Sequence, residues 1–234
     1  KGVVHSHSLY SDGSNTIAQM AAVSQQSGYS YLVMTDHSQA AFYANGLKWD
    51  RIIQQQHEID KLNKENEGFT ILKGIECDIL SNGDLDYNQE ILSTFDVIIA
   101  SVHSILKMDE ERAMARIIKA IENPFTHILG HPTGRLLLSR LGYPLDMKKV
   151  IDACSANKVA IELNANPRRL DLDWQWIPYA MEKNVFISIN PDAHAIKGIH
   201  DIKYGVNMAR KGKLRRELCL NACDVTTFLD RIKK

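Results

Sequence analysis

Tyr31-Leu32-Val33-Met34-Thr35-Asp36-His37 sets four apolar residues before a polar close that ends on an imidazole. The run is too short for a helix, and an unbroken apolar stretch reads as a strand covered on both faces. The same form recurs at residues 3–7, 70–79, 96–103, 127–131, 159–164 and 185–190. Amphipathic stretches at 16–27, 49–66, 109–122, 146–156 and 174–183 lie between them and read as helices. An alternation of this kind gives a parallel sheet, and about seven such units around one core predict an α/β barrel rather than an open sheet. Ser14 or Asn15 is expected to cap the first helix, Gly28 sits just past its end, and Pro178 marks a first helical turn. The last forty residues have helical character and are expected to cover the barrel.

The chain has 234 residues, 44% of them hydrophobic and 24% charged, which fits one ordinary globular domain over 1–234 and excludes a disordered or low-complexity protein. Lys and Arg number 28, as do Asp and Glu, so no global positive field draws in a polyanion and any grip on phosphate must be local. Four cysteines in a chain this long need no disulfide framework, and a reducing cytoplasm is the expected compartment. No run approaches the length of a membrane span, and no signal-peptide pattern opens the chain. A start at Lys1, with apolar residues at once, suggests a piece of something longer.

Nine histidines are present, and six fall at the C-terminal ends of expected strands: His5, His7, His37, His103, His131 and His194. Asp12, Glu76 and Asp192 accompany them. In a barrel the C-terminal rim carries the site, because strand ends and βα loops converge there. In a strand, residues two apart share a face, so His5 with His7 and Asp192 with His194 are each expected to chelate. Asp36 and His37 are adjacent; His37 is assigned to the site and Asp36 to a supporting or capping role. Imidazole and carboxylate without thiolate suit Zn²⁺, Mn²⁺ or Fe²⁺, and nine donors are more than one ion needs, so two or three ions fit. Burying so much imidazole and carboxylate without a partner would be costly.

Other residues allow a bland account beside a functional one. His127 starts its strand at the wrong end and reads as a core histidine; His57 and His200 read as surface or capping groups. Arg135, Arg168 and Arg169 are candidates for binding a substrate phosphate through a bidentate fork, or else solvated surface. Glu162 and Asn164 share a strand face and either support ligands or pair with a buried arginine. Asp78 is placed behind a ligand, Asp84 and Asp86 in a loop turn, and the basic stretch 210–216 at a solvated helix end. Cys219 and Cys223, at helical spacing without matching histidines, are expected to pack in the core.

His5-Ser6-His7 with Ser11-Asp12-Gly13, then Thr35-Asp36-His37, Gly74-Ile75-Glu76, Ser101-Val102-His103, Gly130-His131-Pro132 and Asp192-Ala193-His194, resembles the polymerase and histidinol phosphatase (PHP) superfamily. These motifs cover nearly the whole chain. Residues 130–138 with Gly142-Tyr143-Pro144-Leu145-Asp146, and Glu162-Leu163-Asn164 leading to Arg169–Trp174, look most like the C-terminal PHP domain of bacterial family X DNA polymerases. The resemblance implies a distorted (β/α)₇ TIM-like barrel with three divalent metal ions (Mn²⁺, Zn²⁺ or Fe²⁺). One ion would be held by His5, His7, Glu76 and Asp192, a second by Glu76, His103 and His131, and a third by Asp12, His37 and His194, with Glu76 bridging.

The same resemblance implies a metal-dependent phosphoesterase in which the ligands are also the catalytic machinery: Glu76 at its centre, and Asp192 or His194 carrying a proton to the leaving group. The expected substrate is a phosphodiester at the 3′ end of single-stranded DNA, with a polymerase part on the N-terminal side of the full protein supplying much of the grip. The alternatives are a small-molecule phosphomonoesterase, such as a histidinol phosphatase, and a non-catalytic module whose metals only hold the fold or dock a polymerase.

Overall fold

A computed structural model describes all residues, Lys1–Lys234. Seven strands, β1 (Gly2–Val3), β2 (Tyr31–Met34), β3 (Thr70–Asp78), β4 (Val97–Ser101), β5 (Ile128–Leu129), β6 (Ala160–Asn164) and β7 (Ile187–Asn190), stand in sequence order in one sheet. Every neighbouring pair is parallel. Helices α1 (Ile17–Gln26), α2 (Trp49–Glu65), α3 (Gln89–Leu92), α4 (Glu110–Glu122), α5 (Met147–Asn157), α6 (Ile177–Glu182) and α7 (Ile202–Lys211) follow the strands in turn, and α8 (Val225–Ile232) ends the chain. The fold is the nearly closed seven-stranded α/β barrel that the sequence predicts.

Alternation along the strands sorts the apolar residues into two layers. Leu32 and Met34 face outward against Ile17 and Met20 of α1 and Ile59 of α2. Ile75, Ile98, Ile161 and Leu163 pack outward in a larger cluster with α4, α5 and α6. The inward set, Val4, Tyr31, Val33, Leu72, Val97, Ile99, Ile128 and Ala160, fills only the lower part of the barrel and is stopped by Leu220, Phe228 and Ile232 from the tail. Further up, the inward positions turn polar: Glu76, Glu162, Asn164 and Asn190 are all at most 1% exposed. The barrel is thus an apolar plug beneath a buried polar chamber.

The seam between β7 and β1 closes without a regular strand pair. At the top, Ser6 bridges Ala193, with His7 N donating to Ala193 O at 2.9 Å and Ala193 N to His5 O at 3.2 Å. Lower down, Asn221 wedges between the edges: Ile189 N donates to its Oδ1 at 3.1 Å, and its Nδ2 donates to Ile189 O at 2.6 Å and Gly2 O at 3.3 Å. The tail therefore covers the barrel, as expected, and also fills a gap in its wall.

Three local expectations need correction. Thr16, not Ser14 or Asn15, caps α1, because Gln19 three residues on completes a reciprocal capping box; Asn15 instead accepts from Ile196 N. Strand β1 is shorter than expected, since His5 adopts φ 69° and leaves the ladder. Cys219 and Cys223 are not on one helix: both are extended and half-buried, flanking a 3₁₀ turn at Leu220–Ala222.

Candidate metal centre

The chamber is lined from every side of the barrel. His5 and His7 come from the segment after β1, Asp12 from the loop beyond it, His37 from the extension of β2, and Glu76 from β3. His103 follows β4, His131 follows β5, and Asp192 and His194 follow β7. His5 and His7 do converge, with ring centroids 5.3 Å apart, but strand alternation is not the reason. Val4 faces inward, so His5 would face outward on a regular strand; its left-handed backbone turns it back in. Gly130 must be glycine for β4 and β5 to close above the plug, because a Cβ there would lie 2.2 Å from Ser101 Oγ.

Glu76 is the centre of the arrangement. Its Oε1 lies 3.2 Å from His5 Nε2, 3.1 Å from His103 Nε2 and 2.9 Å from His131 Nε2. Its Oε2 lies 3.6 Å from His7 Nε2 and 3.1 Å from His37 Nδ1. Asp192 Oδ1 is 3.5 Å from His5 Nε2 and 3.2 Å from His7 Nε2, while Asp12 Oδ1 is 3.6 Å from His37 Nε2 and 3.4 Å from His194 Nε2. Three groups of donor atoms are each compact enough to hold an ion: His5, His7 and Asp192; His37, Glu76 and His103; and His7, Asp12, His37 and His194. All nine sequence-predicted ligands meet in this one chamber. His5 Nε2, His7 Nδ1, His37 Nδ1 and Glu76 Oε2 are buried there without hydrogen-bond partners. Orphaned polar atoms are costly, and four at one point, all good donors to a divalent cation, fit a metal site.

Residues 4–166 match the family described as PHP domain. The chain belongs to the PHP family. A DNA polymerase/3′-5′ exonuclease PolX of Bacillus subtilis is 45% identical over 234 residues, covering 99% of this chain but 41% of that protein, so the chain spans about two fifths of that relative. A probable phosphatase of Thermoanaerobacter sp. is 28% identical over 247 residues and is covered over 93% of its length. The crystal structure of a histidinol phosphate phosphatase from Lactococcus lactis, complexed with zinc, L-histidinol and phosphate, shares the fold: the TM-score is 0.66 at 18% identity, over 92% of this chain and 94% of that one. As a PHP domain the chain is a metal-dependent phosphoesterase, and its His, Asp and Glu clusters are groups that could hold divalent metal.

The PHP chamber carries an anionic surplus. Burial opposes ionisation of Glu76, yet His5, His103 and His37 around it hold its carboxyl well below the usual range. Burial likewise opposes charge on His103, but Glu76 and Asp78 push its pKa up to about 10. His194 rises to about 9 against burial through Asp12 and Asp192, whereas burial wins at His37 and takes it down to about 3. The carboxylates thus favour positive charge among them, of the kind a protonated imidazole or a divalent cation supplies.

A second layer aims the ligands. Glu162 receives His5 Nδ1 at 2.5 Å, His131 N at 2.6 Å and Asn190 Nδ2 at 2.8 Å, so it supports ligands and pairs with no arginine. Asn164 Nδ2 donates to Asp192 Oδ2 at 3.0 Å. Asp78 takes His103 Nδ1, which leaves Nε2 for the chamber. Asp36 caps the loop after β1, accepting from Ser8 N at 2.7 Å, Ser8 Oγ at 2.6 Å and Ser11 Oγ at 2.5 Å. The sequence alone leaves Glu162 between two roles; its place two residues before Asn164 on an inward strand face is the signal that favours ligand support.

The arginines divide. Arg169 Nε lies 3.4 Å from Asp192 Oδ2, at the chamber wall. Arg168 is exposed beside it. Arg135 is occupied within the chain: it pairs with Asp173 at 2.9 Å and donates to the carbonyls of Arg169 and Leu170, so it holds the loop that carries the other two. His127, away from the chamber, accepts from Ile98 N at 3.0 Å as a structural histidine. No helix is long and apolar enough to cross a membrane.

Proposed function

We propose that this domain hydrolyses the phosphodiester bond at a DNA 3′ end, using three divalent cations, with Mn²⁺, Zn²⁺ and Fe²⁺ the candidates. His5, His7, Glu76 and Asp192 would hold one, Glu76, His103 and His131 a second, and Asp12, His37 and His194 a third. The observation that carries this is Glu76, one carboxylate with five imidazole nitrogens within 3.6 Å of its two oxygens. Cations bound there supply Lewis acidity, polarising phosphoryl oxygens and acidifying water toward a pKa of ~7. Arg169, 3.4 Å from Asp192 Oδ2, would offer a charged donor to a non-bridging phosphoryl oxygen, and exposed Arg168 would meet the next phosphate. Asp192 or His194, the latter 40% exposed, would hand a proton to the leaving 3′ oxygen. With a formal net charge of zero, the domain relies on a polymerase part elsewhere in the full protein for much of its hold on the strand.

A second reading, phosphomonoester hydrolysis of a small molecule, is favoured by the likeness to a structure holding histidinol and phosphate and to probable phosphatases matched over most of their length. The two separate in one Mn²⁺-dependent comparison. Stepwise shortening of a single-stranded oligonucleotide without phosphate release from histidinol phosphate supports the first, and the reverse pattern removes it. A non-catalytic role predicts bound metal with no turnover of bis- or mono-nitrophenyl phosphate.

A further inference from the structure

Between β2 and α2 the chain crosses the mouth of the chamber, and there Phe42 and Tyr43 are 85% and 62% exposed. Large aromatic rings left in water cost free energy, so their surroundings matter. The turn that carries them is pinned from below. Ala41, Ala44 and Leu47 are buried, and Leu47 N donates to His37 O at 2.8 Å. Gln39 N donates to the Tyr87 hydroxyl at 3.1 Å, and Ala40 N to Asp86 Oδ2 at 2.7 Å. Asn45 closes the 3₁₀ turn in the left-handed region, and Gly46 follows where a Cβ would lie 1.9 Å from Ser38 O. The turn is therefore held in place, and the two rings it carries lie 6.1 Å apart and edge to face. Tyr43 is also 6.5 Å from the ring of the ligand His37, and its hydroxyl lies in the field of Asp78, Glu76, Asp12 and Arg169.

We infer that Phe42 and Tyr43 form a stacking platform for the terminal nucleobase of the strand, and so decide that this site prefers nucleotides to other phosphate esters. The inference rests on the phosphodiesterase reading and adds its specificity. A phosphate held at the chamber carries its own nucleoside toward the rim, and a ring one side chain away from His37 is within one nucleotide's reach. Stacking accepts every base, which suits a trimming activity that must not depend on sequence. A turn whose backbone is already ordered reduces the ordering cost of the contact.

The test uses two end-labelled single-stranded oligonucleotides with Mn²⁺, one ending in an ordinary nucleotide and one in an abasic residue. The wild type should favour the base-bearing end in kcat/KM by roughly 10-fold or more, the scale of one stacked base. Replacing both rings, Phe42→Ala with Tyr43→Ala, should bring that ratio toward one, and Tyr43→Phe alone should keep it. A wild-type ratio near one, or a double variant that retains the wild-type ratio, would overturn the inference while leaving phosphodiester hydrolysis intact. Failure of the wild type to shorten either strand would remove the phosphodiesterase reading itself and this inference with it.

Discussion

Glu76→Gln changes one atom at the point where the chamber's donors meet. The side chain keeps its size at a position 1% exposed, so packing is nearly conserved, but the unit negative charge is lost. Full aqueous screening sets a lower bound on the electrostatic cost. A carboxylate oxygen at ~2.1 Å from a dipositive ion is worth roughly 4 kcal/mol even at the dielectric constant of water. The remaining amide oxygen returns part of that as a neutral ligand, which leaves a net loss of roughly 2–4 kcal/mol, or about 30- to 1000-fold in metal affinity. Because Oε1 and Oε2 face different imidazoles, at 2.9 Å for His131 and 3.1 Å for His37, more than one ion should be affected. Chelator competition with elemental analysis reads the affinity, hydrolysis of bis-nitrophenyl phosphate reads the activity, and circular dichroism checks the fold. A folded variant that keeps wild-type metal content, affinity and turnover refutes the bridging argument.

Glu162→Gln should weaken metal binding ~10- to 100-fold with the fold retained, since it disturbs the bond that aims His5 without removing a ligand, and the same chelator titration reads it. Asn221→Ala strands donors and acceptors on both sides of the seam; a loss of about 2 kcal/mol should lower Tm by roughly 4–8 °C with metal content unchanged, and an unaltered melting curve would show that the wedge is dispensable. His127 accepts from Ile98 N, and burial takes its pKa from 6.5 down to about 4. The unfolded chain then binds more protons between those values, so this stability is full above about pH 6.5 and is lost as pH falls toward 4. The loss is about 2 kcal/mol at pH 5, and in His127→Gln the fall in Tm from pH 7 to pH 5 should be smaller; an equal fall in both proteins counts against it.

The fold is legible in the sequence because each strand is buried on both faces and so reads as a bare apolar run between amphipathic helices. Tyr31–Met34 is an example, with all four residues at 0% exposure. The ligands are legible for a related reason: imidazoles and carboxylates at the ends of such runs have nowhere to go except one rim. What is not legible depends on backbone conformation or distant pairing. His5 leaves its ladder through a left-handed φ that no spacing rule indicates. Asn221 looks like any polar tail residue until β7 and β1 are seen to lack a partner strand between them. Thr16 is a different case: with Gln19 three residues on, it forms a local capping-box pattern that the sequence does carry.

Phe42 and Tyr43 carry no sequence signal, for a reason that bears on their role. Aromatic residues in a loop have no period, so pattern reading passes over them; what distinguishes them is exposure next to a charged chamber, a property of the assembled barrel. The same holds for the division of the barrel's interior. Inward positions on one strand change from apolar to ionisable within four residues, from Leu72 to Glu76 on β3. The apolar half provides burial independent of metal, and the tail seals it with Phe228 and Ile232. The ionisable half carries an anionic surplus that positive charge, on its own imidazoles or on bound cations, relieves. Apolar burial and the candidate ligands thus lie at opposite ends of the same strands, which is why a substitution at Asn221 should move Tm without moving metal content, while one at Glu76 should move metal content and change Tm only by the stability that bound metal adds.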